Sequence, residues 1–279
     1  MEIYKNKTRT KKKTMTYLIN KILRIIVPIT LLFFISDYYS CFICSIDPVY
    51  NVDTATATSI VVFGTNLTST VGTGRFTKQV RNMIELPPYQ KSVIIGLLLS
   101  DGWLRFASKT NNNAHLGFQQ SLTHSAYVLF VFNILSHYCS KGPRLKSDVR
   151  SGNRLYSLGF WTRGLPCFTE LYQLFYINKV KVVPENIYNI LTPVALAHLI
   201  MGDGGFKSKG IYICTDSYTI QDVVRLMNVL IIRYDLKCTL HKASNKFGYR
   251  IYISRNSLYK VKEIVKPYFI PSMIYKLGE

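Results

Sequence analysis

The chain has 279 residues, enough for a domain with a sizeable core. Lys and Arg number 35 against 15 Asp and Glu, a net charge of +20, and a sign imbalance of that size predicts a polyanionic partner, foremost nucleic acid. The six cysteines, at 41, 44, 139, 167, 214 and 238, include a single CxxC pair (Cys41 and Cys44) and the five histidines show no ligand spacing. These counts exclude a zinc-ribbon or disulfide framework and predict reduced, mostly buried thiols in an intracellular protein.

Residues 1–13 hold six Lys or Arg, and Ile25 to Ile35 is an apolar run of 11 residues. That run is too short for a membrane span, which needs ~20 apolar residues. It has the basic start and short apolar core of a targeting segment without a convincing small-residue cleavage pattern. Residues 47–74 lack sustained periodicity and read as a linker with one strand at Ile60-Val61-Val62-Phe63. Arg75 to Arg81 and Leu86-Pro87-Pro88 then lead into a strongly apolar helix starting at about Tyr89.

That helix ends in Ile94-Ile95-Gly96-Leu97-Leu98-Leu99-Ser100-Asp101-Gly102, and a second such run, Leu196-Ala197-His198-Leu199-Ile200-Met201-Gly202-Asp203-Gly204, ends 102 residues later. An apolar helix of this kind is buried on all sides, and a carboxylate directly after it has no packing reason to be there. If the two helices pack side by side in the same direction, Asp101 and Asp203 meet, and two like charges at one place call for a divalent cation. An Asp-Gly step alone also serves as a plain helix stop.

Other segments repeat in the same order. Leu116 to Gln120 and Ile211 to Thr215 read as strands. Ser121-Leu122-Thr123 and Ser217-Tyr218-Thr219 each read as a cap opening an apolar-periodic helix, through Leu135 and Ile231. Leu155 to Phe160 and Tyr249 to Ile253 are again strands, with hairpin tips at Arg150 to Arg154 and Lys242 to Gly248 that carry Asn153 and Asn245. Val183-Pro184 with Ile187-Tyr188 matches Ile270-Pro271 with Ile274-Tyr275, so the chain is a tandem duplication, with Leu191-Thr192-Pro193 lying before the second apolar helix. Residues 93–279 carry 23 basic and 10 acidic side chains, so the surplus of positive charge is not confined to the N-terminal segment.

The two nine-residue runs resemble the signature of the LAGLIDADG homing endonucleases in their single-chain, two-repeat form, at the Gly, the apolar positions and the Asp-Gly. Asn178-Lys179-Val180-Lys181-Val182-Val183-Pro184 and the tail from Val265 to Leu277 are similar to the omega-intron branch of that family from yeast mitochondria. Two departures stand out: His198 occupies a position the family fills with a small residue, and Leu99 and Met201 replace a residue that is often acidic. The first implies helices that cross at a greater distance or a ring turned aside; the second leaves one carboxylate per helix.

The resemblance implies an α+β fold of two pseudo-symmetric αββαββα repeats, with saddle-shaped antiparallel sheets and two packed central helices. The corresponding organisation is an N-terminal leader and linker over 1–85, a first repeat over 86–190 and a second over 191–279. It implies a site-specific, double-strand DNA endonuclease using Mg2+ or Mn2+, with Asp101 and Asp203 as catalytic metal ligands assisted by the carbonyls of Ser100 and Gly202, and with Lys181 and Lys276 beside the metals.

For DNA contact the expected side chains on strands are Gln119, Gln120, Arg154, Thr215, Asp216 and Arg250. Near tips and connections they are Lys109, Lys146, Arg150, Lys207, Lys209, Lys242 and Lys246. The implied partner is a long asymmetric duplex site bound by a monomer with no stable membrane partner, in the mitochondrion as an organelle-encoded intron protein. The alternative within the same family is an RNA maturase that binds its host group I intron.

Overall fold

A computed structural model of the chain describes residues 67–279 apart from 109–110, 151 and 244–247, and apart from the side chain of Arg150. The basic N-terminal segment, the apolar run at Ile25 to Ile35, the strand expected at Ile60 to Phe63, Lys109, Asn245 and Lys246 lie outside the described residues. No helix among the described residues is long and apolar enough to cross a membrane.

A short helix, α1 (Lys78–Met83), precedes the first central helix, α2 (Pro88–Leu99). The first repeat continues as β1 (Trp103–Phe106), β2 (Ala114–Ser121), α3 (Ser125–Leu135), β3 (Arg144–Arg150), β4 (Asn153–Trp161) and α4 (Pro166–Phe175). A small hairpin, β5 (Tyr176–Ile177) and β6 (Val180–Lys181), and a single turn, α5 (Ile187–Ile190), connect it to the second repeat. That repeat is α6 (Pro193–Asp203), β7 (Gly204–Lys207), β8 (Gly210–Ile213), α7 (Ile220–Ile232), β9 (Cys238–Lys242), β10 (Tyr249–Ile253) and α8 (Leu258–Val265), closed by a 3-10 turn over Pro271–Leu277. The order αββαββα occurs twice, as expected. Each repeat holds one antiparallel four-stranded sheet, in the orders β1-β2-β4-β3 and β7-β8-β10-β9.

Local chemistry accounts for the helix starts. Pro88 and Pro193 sit in the first turn of the two central helices, where a missing N–H costs nothing. Thr192 caps α6 by accepting from Ala195 N at 3.2 Å, and Thr219 caps α7 by accepting from Asp222 N at 3.2 Å. The matching cap in the first repeat does not form: Leu122–His124 is a 3-10 turn, α3 begins at Ser125 without a side-chain cap, and the Thr123 hydroxyl donates to Ser121 Oγ instead.

The central helices are buried along one whole side and most of the other, Val93 through Leu99 against Val194 through Met201. Their contact is backbone-close. A Cβ on Gly96 would lie 2.4 Å from the Ala195 carbonyl oxygen and 2.5 Å from His198 Cβ. His198 does not hold the helices apart because its ring turns away from α2 towards α3, where it stacks on Tyr127 and Phe130 and places Nδ1 2.9 Å from Tyr127 Oη. Complete burial pushes its pKa down to about 3, so the ring is neutral.

The first repeat extends further towards the N-terminus than the sequence suggests. Residues 67–76 lie across the end of α3. Thr70 Oγ1 donates to the carbonyls of His137 and Cys139, and the Arg163 guanidinium donates to the carbonyls of Thr70, Thr73 and Gly74 while covering the Phe76 ring at 4.2 Å. Tyr138 Oη donates to the Glu85 carbonyl at 3.2 Å. Residues 67–76 and Glu85, within the span expected to be leader and linker, therefore contact this repeat, whereas α1 between them buries no residue.

Candidate functional site

Both signature carboxylates emerge at the C-terminal ends of the paired helices, Asp203 as the last residue of α6 and Asp101 two residues beyond α2. The absence of a side chain at Gly202 lets them approach: a Cβ there would lie 2.4 Å from Ser100 Oγ and 3.4 Å from Asp101 Oδ2. Burial, then the charge of Asp101, pushes the Asp203 pKa up to about 7. Two carboxylates sharing a partly dry place hold unfavourable negative charge, the electrostatic condition that a divalent cation relieves.

A lysine stands beside each carboxylate. Lys181 Nζ donates to the carbonyls of Ser100 and Gly102, both at 2.8 Å, and Lys276 Nζ donates to those of Met201 and Gly202, both at 2.6 Å. Each ammonium thus satisfies carbonyls left open where a helix ends, at the negative end of its dipole. Burial drags the Lys181 pKa down to about 8 against the pull of Asp203 and Asp101; it lowers that of Lys276 against the same pair. The pseudo-symmetry is reached by unlike routes. Lys181 lies in β6 after a turn with Asn178 and Lys179 at positive φ, whereas Lys276 lies in the closing 3-10 turn ended by the left-handed Gly278.

The carbonyls of Ser100 and Gly202, expected to assist a metal, each accept one lysine hydrogen bond and retain a second lone pair. The donor set at the helix ends is entirely oxygen and fits a hard cation that keeps much of its water. Among the described residues no group of three or more His, Cys, Asp or Glu side chains gathers that could hold a metal, so the candidate centre rests on the two carboxylates.

The sheets sort the expected DNA-contacting residues. In the first sheet Leu116, Phe118 and Phe160 face the helices, so the alternate set faces outward: Trp103, Arg105, Gly117, Gln119, Ser157, Gly159, Trp161, Arg144 and Lys146. Lys146 Nζ donates to Gln119 Oε1, and Gln119 Nε2 to Ser157 Oγ, both at 2.9 Å. Gln120 faces the opposite way and donates to Asp101 Oδ2 at 2.5 Å. Its amide is thus directed at the carboxylate and not along the outward face with Gln119. Arg154 pairs with Val149 in register, on the face opposite Gln119 and Lys146, although it is exposed. Arg150 lies in β3 with its side chain outside the description.

In the second sheet Lys207, Lys209 and Lys242 are exposed at strand ends and turns. Arg250 faces outward but forms a two-point pair with Asp216, at 2.9 and 2.7 Å. Thr215 is a correction: it is 1% exposed and its hydroxyl donates to the Tyr249 carbonyl, so it cannot meet a ligand.

Several outward residues escaped the sequence reading: Arg105, which covers the Trp161 ring at 4.0 Å, and Arg144 in the first sheet, and Tyr212, Tyr252 and His241 in the second. The signal was available in the strand phase. Once Leu116, Phe118, Ile211 and Ile213 are assigned to the core, alternation fixes which neighbours point away.

The chain is similar over this whole region to proteins of known class. The model of the LAGLIDADG DNA endonuclease family matches residues 91–261. "Cytochrome b mRNA maturase bI2" of Debaryomyces hansenii is 33% identical over 190 residues, covering 67% of this chain and 72% of that protein. "DNA endonuclease I-ChuI" of Chlamydomonas applanata is 28% identical over 213 residues, covering 70% and 97%. Among solved structures, the homing endonuclease I-WcaI bound to its DNA recognition sequence superposes with a TM-score of 0.67 at 26% identity, covering 74% of this chain and 95% of that one. With its duplicated αββαββα fold, its paired helices and this family match over more than half its length, the chain belongs to the LAGLIDADG DNA endonuclease family.

Proposed function

We propose that this protein is a site-specific homing endonuclease. It hydrolyses one phosphodiester on each strand of a long, asymmetric duplex target, with Mg2+ or Mn2+, and thereby drives the mobility of its host group I intron in the mitochondrion. The observation that carries the reading is the convergence of Asp101 and Asp203 at the ends of two backbone-close helices, each with a lysine fixed on the adjoining carbonyls. One carboxylate and one lysine per repeat supply a matched set for each strand.

Asp101 and Asp203, with the free lone pairs of the Ser100 and Gly202 carbonyls, would hold the cation, which supplies Lewis acidity for the attacking water and for the leaving oxygen. Gln120 orients the Asp101 carboxylate by its short hydrogen bond. Lys181 and Lys276, anchored through two of their three N–H groups, would each offer the third to the phosphoryl oxygens as negative charge grows there. Outward-facing Gln119, Lys146 and Arg144 of the first sheet and the second sheet's outer strands lie against the groove, and Lys207, Lys209 and Lys242 contact phosphate.

The direct test is cleavage of a library of intronless alleles by the full chain. One sequence cut on both strands only with divalent metal supports the reading; no cut sequence, or cutting in chelator, contradicts it.

The maturase name of the D. hansenii relative favours a second role, binding of the host intron RNA. Accelerated splicing of that intron in vitro by a protein lacking both carboxylates would establish it, since folding an RNA needs neither.

A further inference from the structure

On the outward face of the second sheet, one arginine is held by a carboxylate at two points. Ile251 and Ile253 are core residues, so strand alternation sends Arg250 outward with Tyr252, opposite His241 in register on β9. Arg250 Nε and Nη2 donate to the two carboxylate oxygens of Asp216 at 2.9 and 2.7 Å.

The backbone is arranged to make this pair. Buried Thr215, the residue before Asp216, donates its hydroxyl to the carbonyl of Tyr249, the residue before Arg250. Gly248 lets the incoming chain pass against Asp216, because a Cβ there would lie 2.8 Å from the Asp216 carbonyl oxygen. Stability does not account for the arrangement: the two side chains are 39% and 21% exposed, and ion pairs this wet contribute little to folding.

A guanidinium carries five N–H groups, and Asp216 engages only its Nε side. The end of the group, with parallel donors on Nη1 and Nη2, has no partner among the described residues, and the carboxylate fixes its plane. Asp216 also offsets the positive charge, so the pair has little of the pull by which a lone arginine grips phosphate. What remains is a rigid, two-donor fork. Among major-groove base edges, guanine alone sets two acceptors, O6 and N7, side by side to receive it.

We propose, building on the endonuclease reading, that Arg250 reads one guanine in the half-site covered by the second repeat, with Asp216 as the positioning residue that sets the fork. Thr215, unable to reach a ligand itself, serves this readout by tying the Asp216 turn to β10.

The test uses full-length protein without divalent metal and a duplex selected by it from a random pool. At one guanine of that site, exchange of the pair for A·T should weaken binding roughly tenfold or more. There, 7-deazaguanine, which lacks the N7 acceptor, should weaken it several-fold, and inosine, which keeps O6 and N7, should change it by less than about twofold. In Arg250→Ala all three exchanges should fall below about twofold at that position, while guanines elsewhere in the site keep their effect. Asp216→Asn should shrink the guanine–adenine ratio without weakening binding to a scrambled duplex, since it removes a negative charge; a residue that merely holds the fold would lower both. Thermal melting shows that Arg250→Ala is folded; if it is not, the ratio in Asp216→Asn decides.

A guanine preference that survives unchanged in folded Arg250→Ala, or in Asp216→Asn, overturns the proposal. So does an Arg250→Ala that weakens selected and scrambled duplexes alike, as loss of a phosphate contact does. Failure to select any duplex would instead count against the endonuclease reading itself, whereas a selected and cleaved site with no guanine that depends on Arg250 sinks only the guanine readout.

Discussion

At the scale of single residues the centre is a pair of carboxylates and a pair of lysines drawn partly out of water, and Asp203 carries the largest cost. Asp203 has a folded pKa pushed up to about 7 from an ordinary 3.8, so between these values the folded protein holds a proton that the unfolded chain releases. Its penalty on stability is absent below about pH 4, grows as pH rises and is complete above about pH 7. Asp203→Asn should therefore raise the stability of metal-free protein at pH 8 by about 2 kcal/mol, less than the full shift because the site is open to water, and by nothing at pH 4. Chemical denaturation at the two pH values checks this; an equal change at both would place the strain elsewhere.

The role proposed for the lysines is to act on charge that develops during reaction. Lys181→Ala and Lys276→Ala should slow single-turnover cleavage roughly tenfold or more while changing affinity by less than about threefold. Strand-labelled duplex separates the two, and losses confined to affinity would reduce them to backbone contacts. Both carboxylates were legible from the repeated Asp-Gly, whereas Gln120 was not assigned to them. Consecutive Gln119 and Gln120 face opposite ways, and that phase depends on knowing that Phe118 is core.

At the scale of elements, the paired helices fix the distance between the carboxylates, and Gly96 permits the approach. Gly96→Ala sets a methyl against the Ala195 carbonyl and His198 Cβ, neither a flexible chain end, and should cost on the order of 3 kcal/mol. Calorimetry on the variant, with cleavage falling in parallel, is the check; an unchanged melting temperature would mean the helices do not pack as described.

The helices, the strands and their duplication were readable because apolar periodicity is local. The segment 67–76 was not: its hold on the first repeat comes from Arg163, some 90 residues away, donating to backbone carbonyls, and such a contact leaves no periodic trace. His198 shows the same limit. Sequence posed a wider crossing or a turned ring, and only the stacked Tyr127 and Phe130 decide for the ring.

At the scale of the molecule, the proposed duplex binding draws its affinity from positive charge. The excess of basic over acidic residues in 93–279 is not taken up by ion pairs among the described residues, since Lys207, Lys209 and Lys242 stand exposed at turns and strand ends. Log affinity should fall steeply and linearly with log salt, with a slope near −0.9 for each phosphate neutralised on duplex DNA. Titrations across salt concentrations test it, and a slope near zero would contradict electrostatic contact.

The central claim is that two carboxylates, one from each repeat, form one double-strand cleavage centre. It is tested most directly by Asp101→Asn and Asp203→Asn on a cleavable target, with cleavage and binding measured on the same duplex. Each variant should lose double-strand cleavage while binding the target within about threefold of the parent, since the proposed readout lies on the sheets and not at the helix ends. Full double-strand cleavage by either variant would contradict the account.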